Sequence, residues 1–296
     1  MSNIDWTTLY CIVDAFCKEF EPHWFKTLLT TGVRHRTREA GLCLSEVMTI
    51  VIAFHYSKIR TFKHFYLQLL AFHRDLFPGM MSYSRFVSLK KMAMIPLIAF
   101  TRTHMSKCSG ISIVDATPIV VCHNKRIFSH KIFDGLAKRG KSTMGYFFGF
   151  KLHLIINELG EILAFKLTPG NINDNKVVGE LSKNLVGKLF GDKGYISMKL
   201  FKEFFKRGLK LVTQARKNMK PRMMEIADRL ILRKRSLIES VYHQLKDVMQ
   251  IEHTRHRSSL NFMVNLLSGL AAYVLYPNKP QIRFDFNTST QKLLAA

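Results

Sequence analysis

Three carboxylates stand out by their surroundings. Asp115 falls inside Ile111-Ser-Ile-Val-Asp-Ala-Thr-Pro-Ile-Val-Val121, an otherwise β-rich apolar run, and Asp192 sits in the glycine-bounded Gly191-Asp-Lys-Gly194. Glu239 lies in the periodic stretch Leu230 to Gln250. Each has an ordinary explanation. Asp115 could be a satisfied strand aspartate, Asp192 a turn residue, and Glu239 the partner of Arg235 on a solvated helix face. Jointly they invite a chemical reading, because carboxylates brought together repel, and a buried unpaired one costs several kcal/mol or shifts its pKa upward. Divalent metal holds such groups: two hard, oxygen-ligated ions about 3.5–4 Å apart that clamp a phosphodiester. Mg²⁺ or Mn²⁺ is the expected cofactor.

The elements that would carry these acids can be read from periodicity. At about 100° per residue, a helix over Leu230–Gln250 places Leu230, Leu237, Val241, Leu245 and Val248 in one apolar sector. Arg235, Glu239, Tyr242 and Lys246 gather opposite. Upstream, alternation puts Ile111, Ile113 and Asp115 on one strand face. Further strands are predicted at Tyr146–Ile156 and Ile162–Leu167, joined by a turn at Asn157–Gly160, which makes an antiparallel meander. A helix follows through Val177, Leu181 and Leu185, then a short strand ending at Asp192, a helix over Lys199–Arg207, and a strand over Leu209–Thr213. The order is β-β-β-α-β-α-β-α. Lys125 to Thr143 reads as an irregular loop carrying Lys125, Arg126, Lys131, Lys138, Arg139 and Lys141. Asp174 reads as a turn or cap residue.

Residues 1–108 are helical and strand-poor. Ser45, Thr61 and Ser82 are candidate N-caps for three short amphipathic helices, with a turn at Pro78-Gly79. Before them, Thr31-Gly-Val-Arg-His-Arg-Thr-Arg38 is a basic loop. The set suits a helix-turn-helix-like DNA-binding domain with Arg34, Arg36 and Arg38 on backbone phosphates, or a plain bundle with a solvated loop.

Charge favours a polyanion. There are 45 Lys+Arg against 21 Asp+Glu, a formal net charge of +24. It is spread over the chain, +7 in residues 1–108 and +17 in residues 109–296, so both parts would feel a phosphate backbone, and nucleic acid is a better partner than a membrane. No apolar run reaches the roughly 20 residues of a bilayer span. The runs Val47–Phe54 and Phe262–Tyr276 are expected as buried helices, and no signal peptide is seen at the N-terminus. The five cysteines show no C-x-x-C pairing, as expected of reduced thiols in a cytoplasm. Cys108, Cys122, His123 and His130 form an irregular alternative zinc set.

The order strand-Asp115, Gly191-Asp192-Lys193-Gly194-Tyr195 and helix-Glu239 resembles the DDE transposases of bacterial insertion sequences. Arg235-x3-Glu239-x6-Lys246 matches the Arg, Glu and Lys of a signature in several such families, although Leu232 stands where those families carry a Tyr. Leu237-Ile-Glu-Ser-Val-Tyr-His-Gln-Leu-Lys246, Ile251–Ser258 and Asn265–Leu270 are similar to the insertion-sequence family numbered nine-eight-two. Leu44-Ser-Glu-Val and Thr61–Tyr66 extend the likeness to the N-terminal part.

The resemblance implies a mixed α/β (α+β) chain: an N-terminal all-α, helix-turn-helix-like DNA-binding domain over 1–108 and a ribonuclease-H-like catalytic domain over 109–296. It implies Asp115, Asp192 and Glu239 as the catalytic and metal-binding triad, with Arg235 and Lys246 towards DNA. Lys193, Arg255 and Arg257 are further DNA-contact candidates. The expected activity is phosphodiester hydrolysis at the element's ends and joining of the 3′-hydroxyls to target DNA, by a homodimer acting in a bacterial cytoplasm on the nucleoid. A transposase-derived DNA binder without catalysis and a stand-alone metal nuclease are the alternatives.

Overall fold

The computed structural model describes residues 5–30, 41–143, 145–215, 219, 223–252 and 256–282. Arg34, Arg36, Arg38 and Arg255 lie outside the described residues. Among the described residues, the N-terminal part contains five α-helices: α1 (Trp6–Thr30), α2 (Leu44–Tyr56), α3 (Phe62–Phe72), α4 (Tyr83–Leu89) and α5 (Met94–Thr103). Thr61 caps α3 as its sequence predicts, its hydroxyl accepting from the His64 amide. Ser45 does not cap α2. The helix starts a residue earlier, with the Glu46 carboxylate accepting from the Cys43 amide at 2.7 Å, and the Ser45 hydroxyl donates to Asp14 at 2.9 Å.

The sheet follows. Its strands are β1 (Ile111–Cys122), β2 (Lys138–Ser142), β3 (Gly145–Ile156), β4 (Ile162–Pro169), β5 (Gly187–Gly191) and β6 (Leu209–Thr213). The helix α6 (Asp174–Leu181) enters between β4 and β5, and α7 (Met198–Lys206) between β5 and β6. The strands β1, β3 and β4 form the expected antiparallel meander. β5 and β6 add in parallel beyond β1. The order β4-β3-β1-β5-β6, with the first three antiparallel and the rest parallel, is a ribonuclease-H-like topology. β2 extends the β3 edge. It escapes sequence reading because three of its five residues are charged and none alternates with an apolar one, a composition that suits an edge strand. Gly140 within it is required by close approach: a Cβ there would stand 2.3 Å from the Gly170 carbonyl oxygen.

Adjacent residues of each strand serve opposite cores. Ile113 and Phe190 face the C-terminal helices, while Val114 and Leu189 face α6 and α7. Helices therefore cover both sides of the sheet.

The region read as one helix over 230–250 is broken into α8 (Ile226–Arg233), a 3₁₀ turn, α9 (Leu237–His243) and a π-helical turn over Gln244–Val248. These interruptions correct three assignments of the single-helix reading. The 3₁₀ turn advances the chain by more than 100° per residue, so Leu230 falls out of line and is exposed while Ile231 and Leu232 are buried. The wider π turn carries Met249, rather than Val248, into the core. Tyr242, placed on the polar face by angle alone, is buried, because its hydroxyl finds carbonyl partners inside.

α8 is tied to the sheet by charge. Asp228, 1% exposed, pairs with Lys188 of β5 at 2.7 Å and Lys210 of β6 at 3.5 Å, which fixes the direction from which Arg235 and Glu239 approach.

The last helix, α10 (Ser259–Leu275), is apolar nearly all round and buried, as its sequence predicts, and so is α2. The two pack together, and α10 also packs on α5. The Tyr56 hydroxyl donates to the Ala272 carbonyl at 2.6 Å, and the Tyr273 hydroxyl to that of Gly160 at 2.7 Å. His55 on α2 is sealed in this junction, its Nδ1 donating to the Met249 carbonyl and its Nε2 lying 2.9 Å from the Ser268 hydroxyl.

Burial pushes the His55 imidazole down to about 4. The ring is neutral when folded and takes a proton near pH 6.5 once unfolded. Its contribution is therefore complete above pH 6.5, declines as pH falls, and is exhausted near pH 4. Urea unfolding is expected to show a loss of roughly 2 kcal/mol from this group between pH 6.5 and 5. Comparing wild type with His55→Gln isolates the effect, and equal pH profiles would refute it.

Candidate functional site

Strand register brings the two aspartates together. β1 and β5 are parallel with Ile113 opposite Phe190. Asp115 and Asp192 are each two residues further on, and Asp192 keeps an extended backbone at φ −75 and ψ 177. They therefore leave the same face of neighbouring strands, which run about 4.8 Å apart. Asp192 is held by its own turn, its carboxylate accepting from the Gly194 amide at 2.9 Å. A Cβ on Gly194 would lie 2.9 Å from the same oxygen, so any larger residue there would shift the Asp192 carboxylate.

The helix α9 delivers Glu239 to this place. The Tyr242 hydroxyl donates to the Asp115 carbonyl at 2.6 Å, and Arg235 Nη1 stands 3.9 Å from Asp115 Oδ2. Glu239 follows Arg235 by four residues and precedes Tyr242 by three, so it shares their helix side between two groups that both reach Asp115. Asp192, Lys193, Arg235 and Glu239 line one cleft of about 370 Å³ together with Gln214, Arg233 and Ser236. Glu239 makes no hydrogen bond or ion pair among the described residues, and its carboxylate is open to this cleft.

The electrostatics of Asp115 are those of an acid short of positive charge. Burial pushes its carboxyl up to about 6, and Asp192 and Asp174 add to the shift against the opposing pull of the Ala116 amide and Arg235. Tyr195, 2% exposed, has its hydroxyl buried without a partner among the described residues. Burial raises its pKa, and so do Asp115, Asp174 and Asp192. The Arg235 Nη1 is likewise buried without a hydrogen-bond partner. The donor set is one of hard carboxylate oxygens, which fits Mg²⁺ or Mn²⁺, with an orphaned guanidinium N–H beside it that fits a phosphate. Among the described residues, no three His, Cys, Asp or Glu side chains already stand close enough to hold an ion. Asp192 and Glu239 line the cleft, Asp115 is linked to it through Arg235, and the three are not closed around a centre.

The remaining candidates divide. Lys193 is exposed at the cleft, and Arg257 is exposed near Tyr83 of α4. Lys246, expected on DNA, is turned inward and does not line the cleft. Its ammonium donates to the Pro118 carbonyl at 2.6 Å and pairs with Glu252 at 3.1 Å, and Glu252 in turn accepts from the Val120 amide at 2.8 Å. The π turn directs Lys246 into this clamp on β1. The four-residue zinc set does not assemble: Cys108 lies before β1 and Cys122 ends it, with the length of a 12-residue strand between them.

Asp174 does not cap α6, a role taken by Asn173. It pairs with Lys151 at 3.0 Å and adds its charge to the acid site. Together with Tyr195 and Tyr242 it is a site neighbour that sequence reasoning missed. The signals in the sequence were the closeness of Tyr195 to Asp192 and the place of Tyr242 in the helix sector of Glu239. A larger apolar cavity of about 430 Å³, lined by Met198, Phe201, Leu211, Met223 and Met224, lies beside β6. Its one acid, Asp228, is already paired.

Three comparisons bear on this arrangement. The sequence model of one family, described as a transposase DDE domain, matches residues 105–259. No curated protein matches the chain. Among solved structures, the chain is similar to the piggyBac transposase in a cryo-electron microscopy structure of its synaptic complex with hairpin DNA. That similarity has 12% identity and a TM-score of 0.48, over 98% of this chain and 77% of that one.

Proposed function

The chain belongs to the transposase DDE domain family, and from that premise we propose that it is the DNA transposase of a bacterial insertion sequence similar to the family numbered nine-eight-two. The observation that carries the proposal is one cleft lined by Asp192 and Glu239 with Arg235 and Lys193, the Asp115 carboxylate standing 3.9 Å from that arginine. A protein that only binds DNA gains nothing from three carboxylates facing a phosphate.

Asp115, Asp192 and Glu239 are the residues that would hold two Mg²⁺ or Mn²⁺ ions. Such ions supply the positive charge that activates the attacking oxygen and stabilises the leaving one. The chain's own groups position the substrate. The Arg235 guanidinium takes a non-bridging oxygen of the scissile phosphate, and Lys193 a neighbouring phosphate. Tyr242 fixes the β1 backbone under Asp115, and the Lys246–Glu252 clamp holds the end of α9 on that strand, making Lys246 a positioning residue.

In the first step a water oxygen attacks phosphorus and the P–O3′ bond breaks, leaving a 3′-hydroxyl on the element. In the second that hydroxyl, losing its proton, attacks a target phosphodiester and expels the target's 3′-oxygen, which takes up a proton.

Residues 1–108 serve as the DNA-binding domain, with Arg34, Arg36 and Arg38 on backbone phosphate, and residues 109–296 as the catalytic domain. Arg255 and Arg257 add backbone contacts. A homodimer holds the two element ends. No described helix is long and apolar enough to cross a membrane, and the proposed place of action is the cytoplasm, on the nucleoid.

The test incubates the full chain with a duplex bearing the pre-cleaved terminal inverted repeat, a plasmid target and Mg²⁺. Joined product is expected, lost on chelation with EDTA. Nicked plasmid without joining would make the protein a nuclease, and bound duplex without either product a binder. Affinity should fall steeply with salt in proportion to the phosphates neutralised.

A further inference from the structure

The segment between β1 and β2 holds a second candidate binding site. Phe128 is 95% exposed, although the segment around it is anchored: Phe133 and Ala137 are buried in the main core, and Ile127 and Ile132 pack against it. Phe133 stacks on His130 and meets Phe150 and Phe262 edge-on. Turn bonds from Arg126 to His123, His130 to Ile127 and Ala137 to Phe133 fix the backbone. The ring is thus projected from a built segment.

A lone exposed apolar side chain is unremarkable on a protein surface. This one stands among Lys125, Arg126, Lys131, Lys138, Arg139 and Lys141, all exposed, and none makes an ion pair among the described residues. A second exposed aromatic, Tyr146, belongs to the same surface. Asn124 donates to its carbonyl at 2.7 Å, and the Lys141 ammonium lies 5.8 Å from its ring centroid.

We propose that the Phe128–Tyr146 surface binds unstacked bases of single-stranded DNA, the rings stacking on bases while the surrounding cations follow the backbone. Alternating cations and open aromatic faces suit this ligand, since every base offers a π-face whatever its sequence. The site is separate from the acid cleft. Phe128 follows the far end of β1, and the seven residues from Asp115 to Cys122 span roughly 20 Å of strand. DNA engaged at both places would be opened several base pairs away from the cut phosphate. The inference rests on the reading of the chain as a DNA-acting protein.

Fluorescence anisotropy of the full chain tests it, with two labelled probes: a dT oligonucleotide of about twenty nucleotides and a mixed-sequence duplex of the same length. Phe128→Ala should weaken oligo-dT binding roughly 5- to 150-fold, the span to which about 1–3 kcal/mol of stacking per base converts. Duplex affinity should change less than about twofold. Phe128→Trp should restore strand binding, and Phe128→Leu, apolar but without a π-face, should not. The exposed position spares folding, which unchanged thermal unfolding verifies.

Equal strand affinity in wild type, Phe128→Ala and the Phe128→Ala/Tyr146→Ala double variant overturns the proposal, and so does parallel loss on both probes. If Phe128→Ala instead turns a dimer into a monomer in sedimentation with strand binding intact, the ring is a subunit contact and the proposal fails. If wild type binds neither probe, it is the DNA-acting reading that has failed, and this inference falls with it.

Discussion

Asp115→Asn, Asp192→Asn and Glu239→Gln are each expected to lower cleavage and joining by at least about 1,000-fold while leaving binding of the element's end intact. Each exchange keeps the shape of the side chain and removes the charge that holds a divalent ion. Binding should survive, or tighten slightly, because a negative group that repels phosphate has gone. Asp115→Asn carries a second signature. Its carboxyl is pushed up to about 6 by burial, so at neutral pH the folded protein holds an ionised acid that the unfolded chain accommodates more easily. The raised value means this group opposes folding above pH 6, and the opposition fades as pH drops towards the unfolded value. The amide should therefore raise stability by on the order of 2 kcal/mol, measured by urea unfolding at pH 7.5. A variant more stable and yet inactive marks a position kept for chemistry at a cost to folding. Strand transfer retained by any one of the three variants would sink the triad.

Arg235 should show the next largest effect. Its Nη1 is buried, has no hydrogen-bond partner among the described residues, and lies 3.9 Å from Asp115. A buried donor without a partner costs free energy, which is recovered when it meets a phosphate oxygen. Arg235→Gln is expected to lower joining about 100- to 1,000-fold, the range seen when one preorganised donor to a developing charge is lost. Arg235→Lys should recover little, since a point-like ammonium cannot reproduce the planar fork. Joining rates at saturating DNA, compared with thermal unfolding, distinguish this from a folding defect. Activity within about threefold of wild type in Arg235→Gln would remove the residue from the site.

Much of the sheet was legible because strand alternation and glycine-bounded turns are local signals. The meander from Ile111 to Leu167 and the short strand before Asp192 could be read that way. The pairing of Asp115 with Asp192 across parallel strands could not, because register depends on which face each strand buries. The 230–250 region failed in an instructive manner. Its apolar period suited one helix, but the chain there is interrupted by a 3₁₀ turn and a π turn that no local pattern encodes. The π turn directs Lys246 to Pro118, while Tyr242 is held inside by the carbonyls its hydroxyl meets. Tyr195 and Asp174 were invisible as site neighbours for a related reason, since their closeness to Asp115 is a property of the assembled sheet and α6.

The packing of α10 against α2 and α5 sets an order of events during synthesis. The N-terminal helical layer draws one of its central helices from residues 259–275, so it cannot close when the ribosome has made only the first hundred residues. Pairings this distant in sequence form late. A chain stopped before Ser259 would leave α2 with a bare apolar side and His55 without Ser268. Early termination would thus yield aggregation-prone fragments in place of a folded DNA-binding module, and any DNA-binding activity that needs this layer folded would arrive only with a chain that also carries all three acids.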